Sequence, residues 1–207
     1  MAFVKKQVTE TVSEDERKQN RDCADLLVGL ADANATTRRW AARDLVDCPG
    51  SATALVERLK IESEPSVREV ILTSLTKLGD PSAIVGLVEC LRSEDAALRN
   101  EVVEAMKQLP DDVAPIMQAL LNDADPDVRI FTVNVLESLC HPDVEAWLIE
   151  VIDHDAHVNV CATAVDLLGE VGTQAAAAAL TRLKARFGDD PYIQFAADLA
   201  LKRINED

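Results

Sequence analysis

The densest cluster of chemically capable side chains in this chain is Asp153-His154-Asp155-Ala156-His157, which sets two imidazoles and two carboxylates within five residues. Such donors suit zinc or another divalent ion. Cys140-His141 lies upstream and offers a thiolate and a further imidazole. The stretch between them, 143–152, reads as a helix about 15 Å long, so the two groups stand at its opposite ends. Ligands of one zinc ion lie about 2.0–2.3 Å from it. The cluster is therefore read as a solvated acidic loop, and no metal or other cofactor is assigned. Nucleophilic catalysis needs a Cys or Ser beside an oriented base. Of the cysteines at 23, 48, 90, 140 and 161, Cys140 alone has a neighbouring histidine, and adjacent side chains on a regular backbone point apart. The odd count and the lack of any Cys-x-x-Cys argue against a disulfide framework or a zinc ribbon, so reduced packing thiols are expected, with Cys48 and Cys90 in core positions. Seven glycines form no phosphate-binding loop. No catalytic residue is assigned.

A second chemical series is regular. Arg38, Arg68, Arg99 and Arg129 recur at one position of a repeated pattern whose anchors fall at 37, 67, 98, 128, 160 and 193. The clearest copy is Val67-Arg68 followed by Ile71, Ser74, Leu75, Leu78 and Gly79-Asp80-Pro81. A period near thirty residues signals stacked units that cannot bury their apolar faces alone. Each arginine opens a helix after an acidic loop, which predicts a structural ladder pairing with carboxylates and loop carbonyls across adjacent repeats. The ladder lapses at Cys161 and Gln194, which predicts looser stacking in the last two repeats.

The elements that carry these residues read as helical pairs. From each anchor, apolar residues follow on a 3.6-residue period. A first helix precedes each anchored one: 54–61, 83–91, 113–121, 144–152 and 174–185, with Leu27 and Leu30 marking the earliest. Pro, Gly and Asp fall where helices should stop, as at Gly79-Asp80-Pro81 and Pro110-Asp111-Asp112. The expected fold is all-α, a right-handed α-solenoid of about six helical hairpins. Residues 1–12 lack the pattern and are expected to be flexible, with one repeat domain over 13–207; Ser13-Glu14-Asp15-Glu16 matches a capping box.

The net charge of −16, from 37 acidic against 21 basic residues, argues against nucleic acid, which is held by clustered cations. An acidic field favours a protein partner with a neutral or basic surface. No 18-residue apolar run predicts a membrane span, and Met1-Ala2-Phe3-Val4-Lys5-Lys6 lacks the apolar core of a signal peptide, so a cytoplasmic location is expected.

The string Pro65-Ser66-Val67-Arg68 through Leu78-Gly79-Asp80-Pro81 resembles the HEAT-like repeat of phycobilisome lyases, and the resemblance covers roughly residues 22–207. It implies an α-solenoid, and for some relatives the attachment or removal of a linear tetrapyrrole at a phycobiliprotein cysteine. Deoxyhypusine hydroxylase is similar in fold, but the resemblance there implies two irons held by paired His-Glu motifs. His141, His154 and His157 are none of them followed by Glu.

What remains is surface. In such solenoids the second helices line a concave binding face. Two, three and six residues beyond each anchor, they present Arg39, Trp40 and Arg43; Glu69, Val70 and Thr73; Asn100, Glu101 and Glu104; and Ile130, Phe131 and Asn134. Trp40, Ile130 and Phe131 stand out in a chain with 3% aromatic residues, because aromatics and Arg are enriched at binding hot spots; they equally suit filling space between repeats. Arg38, Arg39 and Arg43 form a basic cluster against an acidic middle. The reading is a non-enzymatic protein-binding scaffold or adaptor. Two alternatives stand beside it: a phycobilin lyase or lyase subunit, and an accessory chaperone that loads a metal or cofactor onto a target.

Overall fold

Most helix starts in this chain have a local cause. The computed structural model describes residues 22–206. Residues 1–12, and the capping box at Ser13–Glu16, lie outside the described residues. Asp22, Asn34, Asp80, Asp95 and Asp125 each turn a side-chain oxygen onto backbone N–H groups of the turn that follows. Pro65, Pro81, Pro110, Pro126 and Pro191 sit at first helical positions, where the missing N–H would have no partner. Gly79, at φ 55°, ends one helix in the left-handed region that a side chain disfavours.

The described residues form twelve α-helices, two short 3₁₀ turns and no strand. The helices are α1 (Cys23–Gly29), α2 (Ala35–Asp44), α3 (Ala52–Ile61), α4 (Pro65–Leu78), α5 (Pro81–Cys90) and α6 (Ala96–Met106). They continue as α7 (Pro110–Leu121), α8 (Pro126–Leu136), α9 (Val144–His154), α10 (Val158–Val171), α11 (Ala177–Arg186) and α12 (Pro191–Glu206). They pair consecutively into six hairpins, an α-solenoid. The first helices begin slightly earlier than the apolar pattern alone predicts, at Ala52, Pro81 and Pro110. The segment expected as helix from Gln174 opens instead as a 3₁₀ turn, Gln174–Ala176.

The even-numbered helices pack side by side in chain order, α2 on α4, α4 on α6 and so on to α12. Their anchored stripes form the spine of one continuous core from Leu26 to Ile204, in which Val67, Ile71, Leu75, Leu87, Met106 and Leu168 are among the fully buried side chains. The Ser74 hydroxyl donates to the Ala42 carbonyl at 2.9 Å and ties α4 to α2. At the crossing of α3 and α5, Gly86 leaves the space that the Val56 side chain fills. A Cβ there would stand 2.2 Å from Val56, so the close approach depends on the missing side chain.

Candidate functional site

The arginine row is the frame on which any surface of this protein is held. Arg38 donates Nε and Nη2 to the two oxygens of Glu62 at 2.7 and 2.8 Å, while its Nη1 donates to the carbonyls of Asp32 and Ala33. Glu62 is buried and also accepts from Arg58 and the Glu64 backbone N–H. Burial pushes its carboxyl up, but those donors outweigh it and hold it at about 2. Arg129 repeats the arrangement, gripping Asp155 at 2.6 and 3.0 Å and the Asp123 carbonyl at 2.7 Å. Burial raises the Asp155 carboxyl, and Arg129 with the His157 backbone N–H brings it below the ordinary range. Each gripped carboxylate lies six residues before the next ladder position. In the third repeat that place is Ser93, so Arg68 reaches Asp95 at 2.6 Å and Glu101 at 3.2 Å instead.

Arg99 departs from the row. Its counterpart Asp123 is held by Arg92, so Arg99 donates to its own loop carbonyl at Ser93, 2.6 Å away, and lays its guanidinium 5.4 Å from the Phe131 ring centre. The looser stacking expected after the ladder lapses is corrected by two substitutes. Arg186 comes from α11 to donate to the carbonyls of Ile152, Asp153 and Asp155 and to the Cys161 sulfur. Gln194 caps the Lys184 and Phe187 carbonyls with its amide. Loop carbonyls need a donor, not a charge, and both residues supply one.

The candidate binding residues divide. Glu69, Thr73, Asn100 and Glu104 are exposed and line one groove between α4 and α6, about 610 Å³ in volume, with Leu72 and Ala105 in its wall. Asn134 lies with Glu137, Asp166 and Glu170 in a second groove between α8 and α10, of about 200 Å³. Lys107 bridges Glu104 to Glu137, joining the two grooves. At the other end, Trp40 is half-buried under Arg43, 4.3 Å from its ring centre, with Arg39 at 5.6 Å. Arg38 leaves the expected basic cluster, since its charge is spent on Glu62 inside the stack. Ile130 and Phe131 are partly buried and packed against the core.

The chemically capable residues are also placed. Cys23 and Cys48 form a disulfide, Cα atoms 5.8 Å apart, which corrects the expectation of reduced thiols throughout. The first hairpin brings the start of α1 beside the 3₁₀ turn after α2, and an odd total does not prevent one pair. Cys90 and Cys161 are buried, and burial pushes both thiols up to about 11. The acidic loop at 153–157 is less solvated than expected: Asp153 pairs with Arg182 and Asp155 with Arg129, so both carboxylates serve stacking. Among the described residues no three His, Cys, Asp or Glu side chains converge on a metal position. His141 stacks on Trp147 with ring centres 4.9 Å apart. Two features went unread in the sequence: the Arg186 substitution, and an exposed stripe of Tyr192, Phe195 and Leu199 on α12. Phe195 and Leu199 fall two and six residues past the anchor at 193, so the repeat register itself could have found them.

Among the described residues no helix is long and apolar enough to cross a membrane. No curated protein sequence matches the chain. Among solved structures it is similar to an engineered protein (22% identity, 91% of this chain and 100% of that one, TM-score 0.45). It is also similar to human deoxyhypusine hydroxylase in complex with glycerol (16%, 89% and 85%, 0.44). A further similarity is to the complex of CpcE and CpcF of phycocyanin lyase from Nostoc sp. PCC7120 (17%, 98% and 100%, 0.39). The family model for HEAT repeats matches residues 23–107 and 113–202, nearly the whole described chain. With its six stacked hairpins and arginine ladder, this chain belongs to the HEAT-repeat family.

Proposed function

We propose that this protein is a non-enzymatic scaffold that binds a protein partner along its second-helix face, with the groove between α4 and α6 as the principal contact. One observation carries the reading: four predicted surface positions, Glu69, Thr73, Asn100 and Glu104, converge on one groove that joins apolar wall to carboxylate rim. An apolar strip flanked by acid suits a segment that presents a small apolar side chain between Lys or Arg residues. The second groove repeats the chemistry with Glu137, Asp166 and Glu170. Arg39, Trp40 and Arg43 give the face an opposite end, suited to an acidic portion of the same partner.

The test is affinity capture from the source cells with the intact chain and with Glu69→Lys combined with Glu104→Lys. Captured proteins are then purified and titrated calorimetrically against both forms. Loss of a basic partner by the charge-reversed form, at unchanged helicity by circular dichroism, supports the groove. A partner held equally by both forms, in the presence and absence of salt, removes it. Trp40→Ala reports separately on the basic end.

A further inference from the structure

Helix α12 exposes large apolar side chains along one face. Tyr192 is 50% exposed, Phe195 67% and Leu199 39%. The equivalent positions on α4 and α6 are polar: Glu69 and Thr73, then Asn100 and Glu104. With Lys202 the three make a series spaced by three, four and three residues. That is the a-and-d spacing of a seam between two helices. The opposite side of α12, through Ile193, Ala197, Ala200 and Ile204, is already buried in the stack. The seam is therefore outward-facing.

The series is self-complementary in one orientation. A two-fold axis beside Ala197 lays α12 antiparallel on its own copy, because 192 and 202, like 195 and 199, are equidistant from 197. Phe195 then meets Leu199 of the second copy, and Tyr192 meets Lys202 of the second copy. The charges agree. Asp189 and Asp190 precede the helix, and Lys202 and Arg203 lie towards its end. Antiparallel pairing sets Asp189 and Asp190 of one copy towards Lys202 and Arg203 of the other, where Glu206 lies 3.8 Å from Lys202, whereas parallel pairing sets the aspartates of both copies together. The helix dipoles favour the same choice. Tyr192 already donates to Asp166 at 2.7 Å, so an arriving ammonium finds a ring and a carboxylate together.

We propose that this protein associates with a second copy of itself through an isologous, antiparallel α12–α12 seam built on Tyr192, Phe195, Leu199 and Lys202. Two apolar layers make a contact at the small end of specific interfaces, so the association is reversible and concentration-dependent. It uses the terminal helix and does not rest on the groove between α4 and α6.

Sedimentation equilibrium over a wide concentration range tests it. The expected mass rises from one chain, 22.5 kDa, towards twice that value. Phe195→Glu with Leu199→Glu is expected to stay at one chain, while Val85→Glu, another exposed apolar position, associates as before. Orientation is read by cross-linking in a Cys140→Ser background with oxidised glutathione. Phe195→Cys combined with Leu199→Cys is expected to give covalent dimer, and Phe195→Cys alone to give little. A one-chain mass at every concentration overturns the proposal. So does a dimer that survives the double Glu change, efficient cross-linking of Phe195→Cys alone, or a different protein that requires Phe195 while the chain itself stays single.

Discussion

Replacing Glu62 with Gln removes the acceptor at the centre of the first inter-repeat clamp. The carboxylate takes two bonds from Arg38, one from Arg58 and one from the Glu64 N–H, and its side chain is fully buried. Glutamine supplies one oxygen and turns an amide donor towards a guanidinium. The depression of the Glu62 carboxyl from 4.5 to about 2 corresponds to roughly 3 kcal/mol of folding free energy. Breaking a buried pair by removing one partner costs about 3–5 kcal/mol, which agrees. For a chain of this length that lowers the thermal midpoint by roughly 6–12 °C. The sign with pH follows from the depressed value. The contribution is complete above 4.5 and fades as pH falls towards 2, because both folded and unfolded forms then carry the proton. Urea titrations of both proteins at neutral pH and at stepped acid pH measure it, and the gap between them should close on acidification. A loss under about 1 kcal/mol at neutral pH, or a gap that stays constant down to pH 2, refutes the reasoning. Arg38→Met with Glu62→Leu is expected to recover most of the loss, since a buried pair exchanged whole for apolar groups is often near neutral.

Gly86→Ala is expected to destabilise by about 1–3 kcal/mol through overpacking against Val56, and a second change, Val56→Ala, should relieve it in thermal melts. Titration of thiols in denaturant without reductant should count three, at Cys90, Cys140 and Cys161, rising to five after reduction; three both times would contradict the disulfide. Breaking that link, which spans 25 residues, should cost about 3 kcal/mol on the chain-entropy view, read from melts with and without reductant. Arg186→Ala should weaken the α9–α10 turn by about 1–2 kcal/mol, and let a thiol reagent modify Cys161 roughly tenfold faster than in the unchanged protein.

The spine of the fold was legible because burial here is periodic. One residue in each repeat, at the anchor, fixes which side of the helix meets the core, and Val67, Leu98, Val128, Val160 and Ile193 are all buried. The ladder was legible for the same reason, since Arg38 and Arg129 repeat each other's surroundings. Its exceptions were not. Arg99 loses its carboxylate to Arg92, and Cys161 is served by Arg186 from a helix 25 residues later; neither substitution leaves a trace in the period. The disulfide was hidden likewise, because the Cys23–Cys48 approach depends on how α1 folds back over α2. Of the candidate face, the exposure of Glu69, Thr73, Asn100 and Glu104 was legible in the register, because exposed positions repeat as faithfully as buried ones. Phe131 was open to two readings because an aromatic ring serves packing and recognition equally well, and the Arg99 guanidinium 5.4 Å from its ring centre could not be read from the period.

The displaced pairing at Arg99 makes the joints of this solenoid unequal. The Arg38–Glu62 and Arg129–Asp155 clamps are shielded from water, but one of the ion pairs across the central joint, Arg92 with Asp123, is made by an arginine side chain 45% exposed. Shielded charges ignore dissolved ions and exposed ones are screened by them. Ionic strength is therefore expected to weaken the Arg92–Asp123 pair, and the likewise exposed Arg182–Asp153 pair, before it touches the two shielded clamps.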